Sequence, residues 1–364
     1  MARIWGRTTL IGLLSLLVLS GCGPFASAPA PLVPADAVMN GMTEAGYSPT
    51  VLSGPDVTGQ LTRLKRDGVT WLAIQVAWFQ KTDTSTTIAP SPTGTPTDGS
   101  VTALIRIAHR MGFRVFLNPF VNALTGSGWQ ADFHPSSVFR WFQSFDRYLA
   151  HYARLAQRDH ADMMAIGDEF DSLDAVPAYK PYWLHAIRVA RTYYKGPLVY
   201  GADWQHYQRV TFWHALNDVG IDAYFPLSAT PNPSLGTLEA AWTREANTIQ
   251  AWRVKAGLAA KPFIMTELGY PSERGAAAKP GTWYPSEPVN LTIQERCYLA
   301  TFRTIYKRPW LRGIFWFWWA NPSNPDWRGG PRDNGYTPRG KPAEAVLRYY
   351  FRASEGTTGT GAAP

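Results

Sequence analysis

The sequence predicts an α/β fold, a single (β/α)8 TIM barrel, and three observations carry this prediction. Apolar runs rich in β-formers alternate with amphipathic helical stretches, as in a parallel α/β sheet. The chain has 364 residues, 45% of them hydrophobic, which suits one large core. Two glutamates follow two of the apolar runs, and barrel enzymes carry their catalytic groups at such strand ends.

The predicted strands and helices follow one another along the whole chain. The eight strands lie near residues 38–47, 70–78, 114–119, 162–167, 197–203, 221–225, 262–267 and 313–319. Apolar residues at helical spacing predict helices that include 57–66, 101–111, 138–158 and 182–194. A polar insertion, residues 81–100, follows the second strand, and in a barrel we expect such a loop on the catalytic face.

The N-terminus has the features of a bacterial export signal. Arg3 and Arg7 precede an apolar run, residues 10–19, that is short for a membrane span. The run ends in LSGC, which resembles the lipobox of bacterial lipoproteins and implies lipid on Cys22. The alternative is a cysteine within an ordinary signal peptide.

This interpretation divides the chain into four parts. We expect a signal peptide at 1–22, a tether rich in Pro and Ala at 23–36, the barrel at 37–353 and a disordered tail at 354–364. The protein would then be exported and anchored to a membrane, at the cell envelope or the cell surface.

Several kinds of chemistry find no support in the sequence. The net charge of +8 is spread without basic runs, which argues against nucleic acid. There is no HExxH, CxxC or GxxxxGK motif, so we expect no metal and no cofactor. Cys297 would be the sole cysteine besides Cys22, and we expect it buried in a helix of a monomer.

Glu169 and Glu267 are the candidate catalytic residues. They end the segments MMAIGDE and PFIMTE and are 98 residues apart, or three βα units of roughly 33 residues. Retaining glycosidases hold two carboxyl groups about 5 to 5.5 Å apart. We assign nucleophilic attack to Glu267 and proton transfer to Glu169, whose pKa burial and the charge of Glu267 should raise.

Other side chains at predicted strand ends are candidates for binding sugar. Tyr224 should hydrogen-bond the nucleophile, with a core tyrosine as the alternative. The chain has 16 Trp, whose rings stack on sugars but also fill cores. The remaining substrate-binding candidates are Asn118, Asp168, Trp78, Trp204 and Trp319, and for the tryptophans packing is the alternative.

Two groups of residues are interpreted without a function. Residues 126–131 (GSGWQA) match a loose GxGxxA pattern, but no helix follows, and we interpret them as an ordinary loop. Asp174, Asp218 and Asp222 are interpreted as surface or helix-capping residues.

From about residue 39 to 350 the chain resembles glycoside hydrolase family 113, clan A barrels that include retaining β-1,4-mannanases. The resemblance rests on IGDEFDS, TELGYPS, GIFWFWWANP and NGYTPRGKPAEAVLRYYF. It implies an acid/base role for Glu169, a nucleophile role for Glu267 and an orienting role for Tyr224. The chain departs from the pattern at Asp168, where many clan members have Asn, and at 118–120, where Asn-Pro-Phe replaces Lys-Pro-His.

The expected function is a retaining endo-β-1,4-mannanase that acts on mannan or glucomannan. The two departures bear on the substrate more than on the mechanism, so another β-glycanase or an exo-acting β-glycosidase is an alternative. A surface lipoprotein that binds glycans without cleaving them is a second alternative, from a different functional class.

Overall fold

The computed structural model describes residues 38–319 and 328–354. The predicted signal peptide, Cys22 and the tether lie outside the described residues, as do residues 355–364 of the predicted tail. Ser354, the first residue of that tail, is the last residue of a helix.

Eight parallel strands form a closed barrel in which each strand pairs with the next and the last pairs with the first, so the predicted fold class is confirmed. The strands are β1 (Met39–Gly46), β2 (Trp71–Gln80), β3 (Arg114–Ala123), β4 (Met163–Asp168), β5 (Leu198–Asp203), β6 (Val219–Asp222), β7 (Phe263–Leu268) and β8 (Leu311–Trp316).

Eight α-helices occur within the described residues, and most of them cover the outside of the barrel. They are α1 (Val57–Arg66), α2 (Asp98–Arg110), α3 (Val138–Arg158), α4 (Asp171–Asp174), α5 (Lys180–Tyr193), α6 (Leu235–Lys255), α7 (Leu291–Arg303) and α8 (Pro342–Ser354). The connection between β5 and β6 contains only the short 3-10 helices Tyr207–Arg209 and Trp213–Ala215.

The strands are rich in apolar residues because each is buried on both sides. The largest core cluster lies between strands and helices and includes Leu72, Phe145 and Leu347. A second cluster, including Trp71, Met163 and Phe116, takes most of its members from the early part of the strands. The amino-terminal end of the barrel is therefore filled, and polar side chains are concentrated towards the carboxyl ends of the strands.

Charged side chains join the first and the last helix of the barrel. Arg63 of α1 is 2.6 Å from Glu344 of α8, and Arg348 of α8 is 2.7 Å from Asp67. These contacts add to the β1–β8 pairing that closes the barrel.

Two further features of the described residues bear on the sequence analysis. Cys297 is fully buried in α7, as expected. Within ranges 38–319 and 328–354, no helix is long and apolar enough to cross a membrane.

Candidate active site

Irregularities in two strands determine where the glutamate side chains lie. The register between β4 and β5 shifts between Ala165 and Asp168, and that between β6 and β7 shifts before Glu267. Such bulges redirect side chains at barrel rims. Glu169, directly after β4, has a φ of 47°, a left-handed conformation that costs energy in a residue with a side chain. The fold therefore maintains a strained backbone at this glutamate.

Glu267 is buried and accepts one hydrogen bond on each carboxylate oxygen. The Gln75 side-chain amide donates to Oε1, and the Tyr224 hydroxyl donates to Oε2 at 2.8 Å. Burial raises the pKa of Glu267 to about 7, while these two donors lower it by stabilising the charged form. The two donors therefore stabilise and orient the charged form of Glu267.

Among the residues that the structure describes, Glu169 has donors on one oxygen only. The indole nitrogen of Trp129 is 2.7 Å from Oε2, and the Gln130 amide nitrogen is 3.5 Å from the same atom. Burial, and then the charges of Asp203 and Glu267, raise the pKa of Glu169 to about 8, although the Trp129 bond lowers it. Glu169 is therefore the carboxyl that keeps its proton to higher pH.

Buried acceptor atoms without a described partner lie close to the two glutamates. Asn118 Oδ1, Asp168 Oδ1 and Asp222 Oδ2 have no hydrogen bond in the described part of the chain. Burial, and then the charge of Glu267, raise the pKa values of Asp168 and Asp222 well above the ordinary range. The site thus offers polar atoms that a sugar's hydroxyl groups can satisfy.

Asp174, Asp218 and Asp222 are all buried, so their interpretation as surface or capping residues is wrong. Asp222 Oδ1 accepts from the Thr266 hydroxyl at 2.7 Å, and Asp174 accepts from Tyr200 at 2.7 Å. Asp174 and Asp222 each have one oxygen satisfied by a neighbouring hydroxyl, whereas buried Asp218 lies near the charges of Arg312 and Lys261.

Further acidic residues lie near Glu169. Asp203 ends β5 and accepts from the backbone nitrogen of Gln205 at 2.6 Å. Burial raises the pKa of Asp171 to about 9, and the charges of Asp203 and Glu169 contribute. This side of the site therefore carries an excess of carboxyl groups.

Aromatic rings line the side of the site near Glu267. Trp318 is buried in a cluster with Tyr224, Phe317 and Tyr336. Trp283 lies 6.0 Å from Trp318 between ring centroids and is 41% exposed. An exposed ring beside the aromatic cluster that includes Tyr224 is a surface on which a sugar can stack.

Trp319 is not a stacking residue of the site, which corrects the sequence prediction. It is fully buried, belongs to the main core cluster and lies 5.6 Å from the guanidinium of Arg63 on α1. The strand ends at Trp316, so Trp319 is not its last residue, and Trp318 is the neighbour that joins the aromatic cluster of the site.

Trp78 also faces away from the site, contrary to the prediction. Its ring lies 5.1 to 5.9 Å from Tyr148, His151 and Tyr152 of α3. Successive side chains of a strand point to opposite faces, so Trp78 lies opposite to Gln75, which reaches Glu267. Trp78 therefore packs β2 against α3.

The structure brings six of the predicted residues to the catalytic end of the barrel. Trp204 is half-buried beside the cluster of Tyr224 and Trp318. The other five are Glu169, Glu267, Asn118, Asp168 and Tyr224.

Three residues that contact the glutamates were not predicted: Gln75, Trp129 and Gln130. A glutamine inside the apolar run WLAIQVAWFQ was a usable signal. The other two lie in the segment interpreted as an ordinary loop. Within the residues that the structure describes, no cluster of His, Cys, Asp and Glu could hold a metal ion.

Comparisons with known proteins agree with this geometry. The sequence profile described as Glycoside Hydrolase Family 113 matches residues 50–341. A GH113 β-mannanase from Alicyclobacillus acidocaldarius, in complex with ManMIm, is similar at 25% identity and a TM-score of 0.76, over 87% of this chain and 98% of that chain. Another GH113 β-1,4-mannanase, at 24% identity and a TM-score of 0.76, covers 87% of this chain and 99% of its own.

A more distant similarity supports the fold alone. A β-glucuronidase from Ruminococcus gnavus is 13% identical with a TM-score of 0.58, over 86% of this chain and 50% of that one. Among curated proteins no significant match was found.

Proposed function

The chain belongs to Glycoside Hydrolase Family 113, and from this premise we propose that it is a retaining endo-β-1,4-mannanase that cleaves mannan or glucomannan. The observation that supports the catalytic assignment is that the two glutamate carboxyl groups have different surroundings. Glu267 has a donor on each oxygen, whereas Glu169 has donors on one oxygen and the higher pKa.

In the first half-reaction Glu267 attacks the anomeric carbon and the glycosidic bond breaks. The Tyr224 and Gln75 donors hold its carboxylate in one orientation. Glu169 transfers its proton to the departing glycosidic oxygen, so the leaving sugar departs as a neutral alcohol.

In the second half-reaction water hydrolyses the ester bond between the sugar and Glu267. Once glycosylated, Glu267 has no charge, which removes one of the causes that raise the pKa of Glu169. Glu169 then takes a proton from water, the water oxygen bonds to the anomeric carbon, and the bond to Glu267 breaks. Two displacements at one carbon retain its configuration.

The choice of mannan draws on the family and on the chemistry of the site. The two similar enzymes described above are named as β-mannanases. Acceptor atoms of Asn118 and Asp168 suit donation by sugar hydroxyls, and Trp283 offers a ring face. Asp168 also carries a raised pKa, and a protonated carboxyl can donate as well as accept.

The proposal is tested with the purified protein on β-mannans and β-glucans. We expect reducing ends from mannan or glucomannan, and losses of at least about a hundredfold in Glu169→Ala and Glu267→Ala. Both variants should fold, as judged by thermal unfolding. Unchanged hydrolysis in both would overturn the catalytic assignment, and preferred cleavage of a β-glucan would reassign the substrate.

We also propose that the protein is exported and anchored by lipid on Cys22, as the segment LSGC supports. The expected result is membrane association and fatty-acid labelling of the full chain, both lost in Cys22→Ala. Labelling that persists in this variant would contradict the anchor.

A further inference from the structure

We propose that Trp129 determines which oxygen of Glu169 carries the catalytic proton, and that its exposed ring receives the leaving-group sugar. The inference rests on the proposed retaining mechanism. It assigns a positioning role and a sugar-binding site to a loop residue that lies outside the two strands bearing the glutamates.

The first argument is the direction of the hydrogen bond. An indole nitrogen can only donate, so Glu169 Oε2 must accept at the observed 2.7 Å. The carbonyl oxygen of a carboxylic acid accepts far better than its hydroxyl oxygen does. Donation to Oε2 by Trp129 and Gln130 therefore favours the acid form with its proton on Oε1. The proton is then on the oxygen that remains available to the glycosidic oxygen.

The second argument is that the loop holds Trp129 in place. The Ser127 hydroxyl bonds both the backbone nitrogen and the carbonyl oxygen of Trp129, at 3.2 and 3.3 Å. The Ser127 nitrogen in turn donates to Asp83 of the preceding loop at 3.1 Å. Gly126 has a φ of 101°, and a Cβ there would lie 2.3 Å from Asp83, so only glycine permits this approach. The indole is thus fixed relative to two neighbouring loops.

The third argument is exposure. Trp129 is 42% exposed, and no other aromatic ring of the described residues packs against its indole. Glu169 delivers its proton to the oxygen between the two sugars, so a ring bonded to Glu169 lies on the side of the leaving sugar. Aromatic rings commonly provide the apolar surface against which sugar faces pack. Trp129 therefore offers a binding surface for a neutral pyranose in the leaving-group position.

The ionisable groups around Glu169 come from several elements of the barrel and remain unchanged in the test variants. They are Glu267, Asp168, Asp171, Asp203, Asp222 and Tyr336. A change of the pH profile in Trp129→Phe, which keeps a ring beside Glu169, is therefore attributable to the lost donor.

Trp129→Phe keeps a ring and removes the donor. Because the Trp129 bond lowers the pKa of Glu169, the basic limb of kcat/KM should move to higher pH. We expect about a tenfold lower kcat on a manno-oligosaccharide, since a bond to a charged group is lost. On a dinitrophenyl β-mannoside, whose leaving group needs no proton, we expect less than about a twofold change in the glycosylation rate.

Trp129→Ala removes the donor and the ring. Relative to Trp129→Phe, it should raise KM for the oligosaccharide about threefold or more and leave KM for β-mannosyl fluoride, whose leaving group has no ring to stack, similar. Trp310→Phe is the control, because Trp310 is partly exposed, directly precedes β8 at the amino-terminal end of the barrel and packs against Phe263 and Arg253. It should leave the basic limb in place.

Wild-type protein that hydrolyses no β-mannan or β-glucan would overturn the proposed function itself. The wild type could instead be active while Trp129→Phe leaves two quantities unchanged: the basic limb, and the ratio of the rates on the aryl glycoside and the oligosaccharide. That result would overturn only the inference on proton placement. Equal KM values in the Phe and Ala variants would overturn the binding role of the ring. Because Trp129 is exposed, these variants should unfold at the wild-type temperature.

Discussion

We propose two different tasks for Glu169 and Glu267 because the neighbours of their carboxyl groups differ. Glu267 receives neutral donors on both oxygens, while Glu169 faces acidic groups and receives donors on one oxygen. Burial raises the pKa of both carboxyl groups, so activity should depend on pH in a bell shape with one limb set by each glutamate.

The contribution of the donors can be measured at Tyr224. In Tyr224→Phe the pKa of Glu267 should rise, because the hydroxyl that stabilises its charged form is absent. The nucleophile must be ionised, so the acidic limb of kcat/KM should move to higher pH, with about a tenfold to hundredfold lower maximum.

Tyr336→Phe is the control for that experiment. Tyr336 lies in the same aromatic cluster, but its hydroxyl donates to the carbonyl of Pro280. We expect its acidic limb to stay near that of the wild type. An acidic limb that is the same in Tyr224→Phe and in the wild type would contradict the orienting role.

At the residue level the sequence predicted those site residues whose location follows from their place at the end of a strand. Glu169, Glu267 and Tyr224 follow apolar runs, and parallel strands bring their carboxyl ends to one side of a barrel. Trp129 could not be predicted in this way, because a loop's path depends on contacts such as Ser127 with Asp83. The prediction that Trp319 stacks on sugar was wrong because buried aromatic residues continue past the end of β8. The composition therefore did not reveal where the strand ends.

At the scale of elements, the segment before α8, residues 328–341, packs against the loop after β7. The Lys341 ammonium donates to Ser272 Oγ at 2.7 Å, to the Gly335 carbonyl at 2.8 Å and to Asp333 at 3.1 Å. The same segment carries Tyr336 into the aromatic cluster beside Tyr224. The buried lysine therefore connects the position of an active-site ring to the carboxyl-terminal helix.

We predict that Lys341→Met lowers the free energy of unfolding by about 3 kcal/mol, because Asp333 and a buried carbonyl lose their charged partner. Chemical denaturation would measure this change. Lys255→Met, at an exposed position of α6, should change it by less than about 0.5 kcal/mol. Equal stability of both variants would show that the Lys341 contacts do not stabilise the fold.

Element boundaries were predicted best where a long periodic pattern exists. The bounds expected for 57–66 and 138–158 are those of α1 and α3, whose apolar residues recur on one face. The strand near 221–225 lies instead at Val219–Asp222, and β3 extends four residues beyond its expected end. A strand that is apolar on both faces gives no alternation by which its ends can be recognised.

At the scale of the whole molecule, the barrel collects carboxyl groups that are costly to ionise. Burial raises the pKa of Glu44 to about 8, of Asp171 to about 9 and of Asp174 to about 7. The folded chain therefore holds protons that the unfolded chain releases above about pH 4. Each such group lowers the stability of the fold as pH rises towards its folded-state pKa.

We predict that the melting temperature falls as pH rises from about 5 to about 9. Below about pH 4 stability should also fall, because Asp162 and Glu344 have lowered pKa values and lose their ionic partners. In Asp171→Asn the melting temperature should fall less steeply with pH, because it should be higher than that of the wild type at pH 8 and nearly the same at pH 5. A melting temperature that rises steadily from pH 5 to 9 would contradict this account.

The central claim is that Glu267 forms a covalent bond to the sugar during catalysis. Mass spectrometry after incubation with a 2-deoxy-2-fluoro-β-mannosyl fluoride, which slows hydrolysis of the intermediate, tests it directly. The account predicts one fluoroglycosyl group per chain, on the peptide that contains Glu267, and none in Glu267→Ala. Labelling of a different residue, or turnover of mannan with inverted configuration and no adduct, would contradict it.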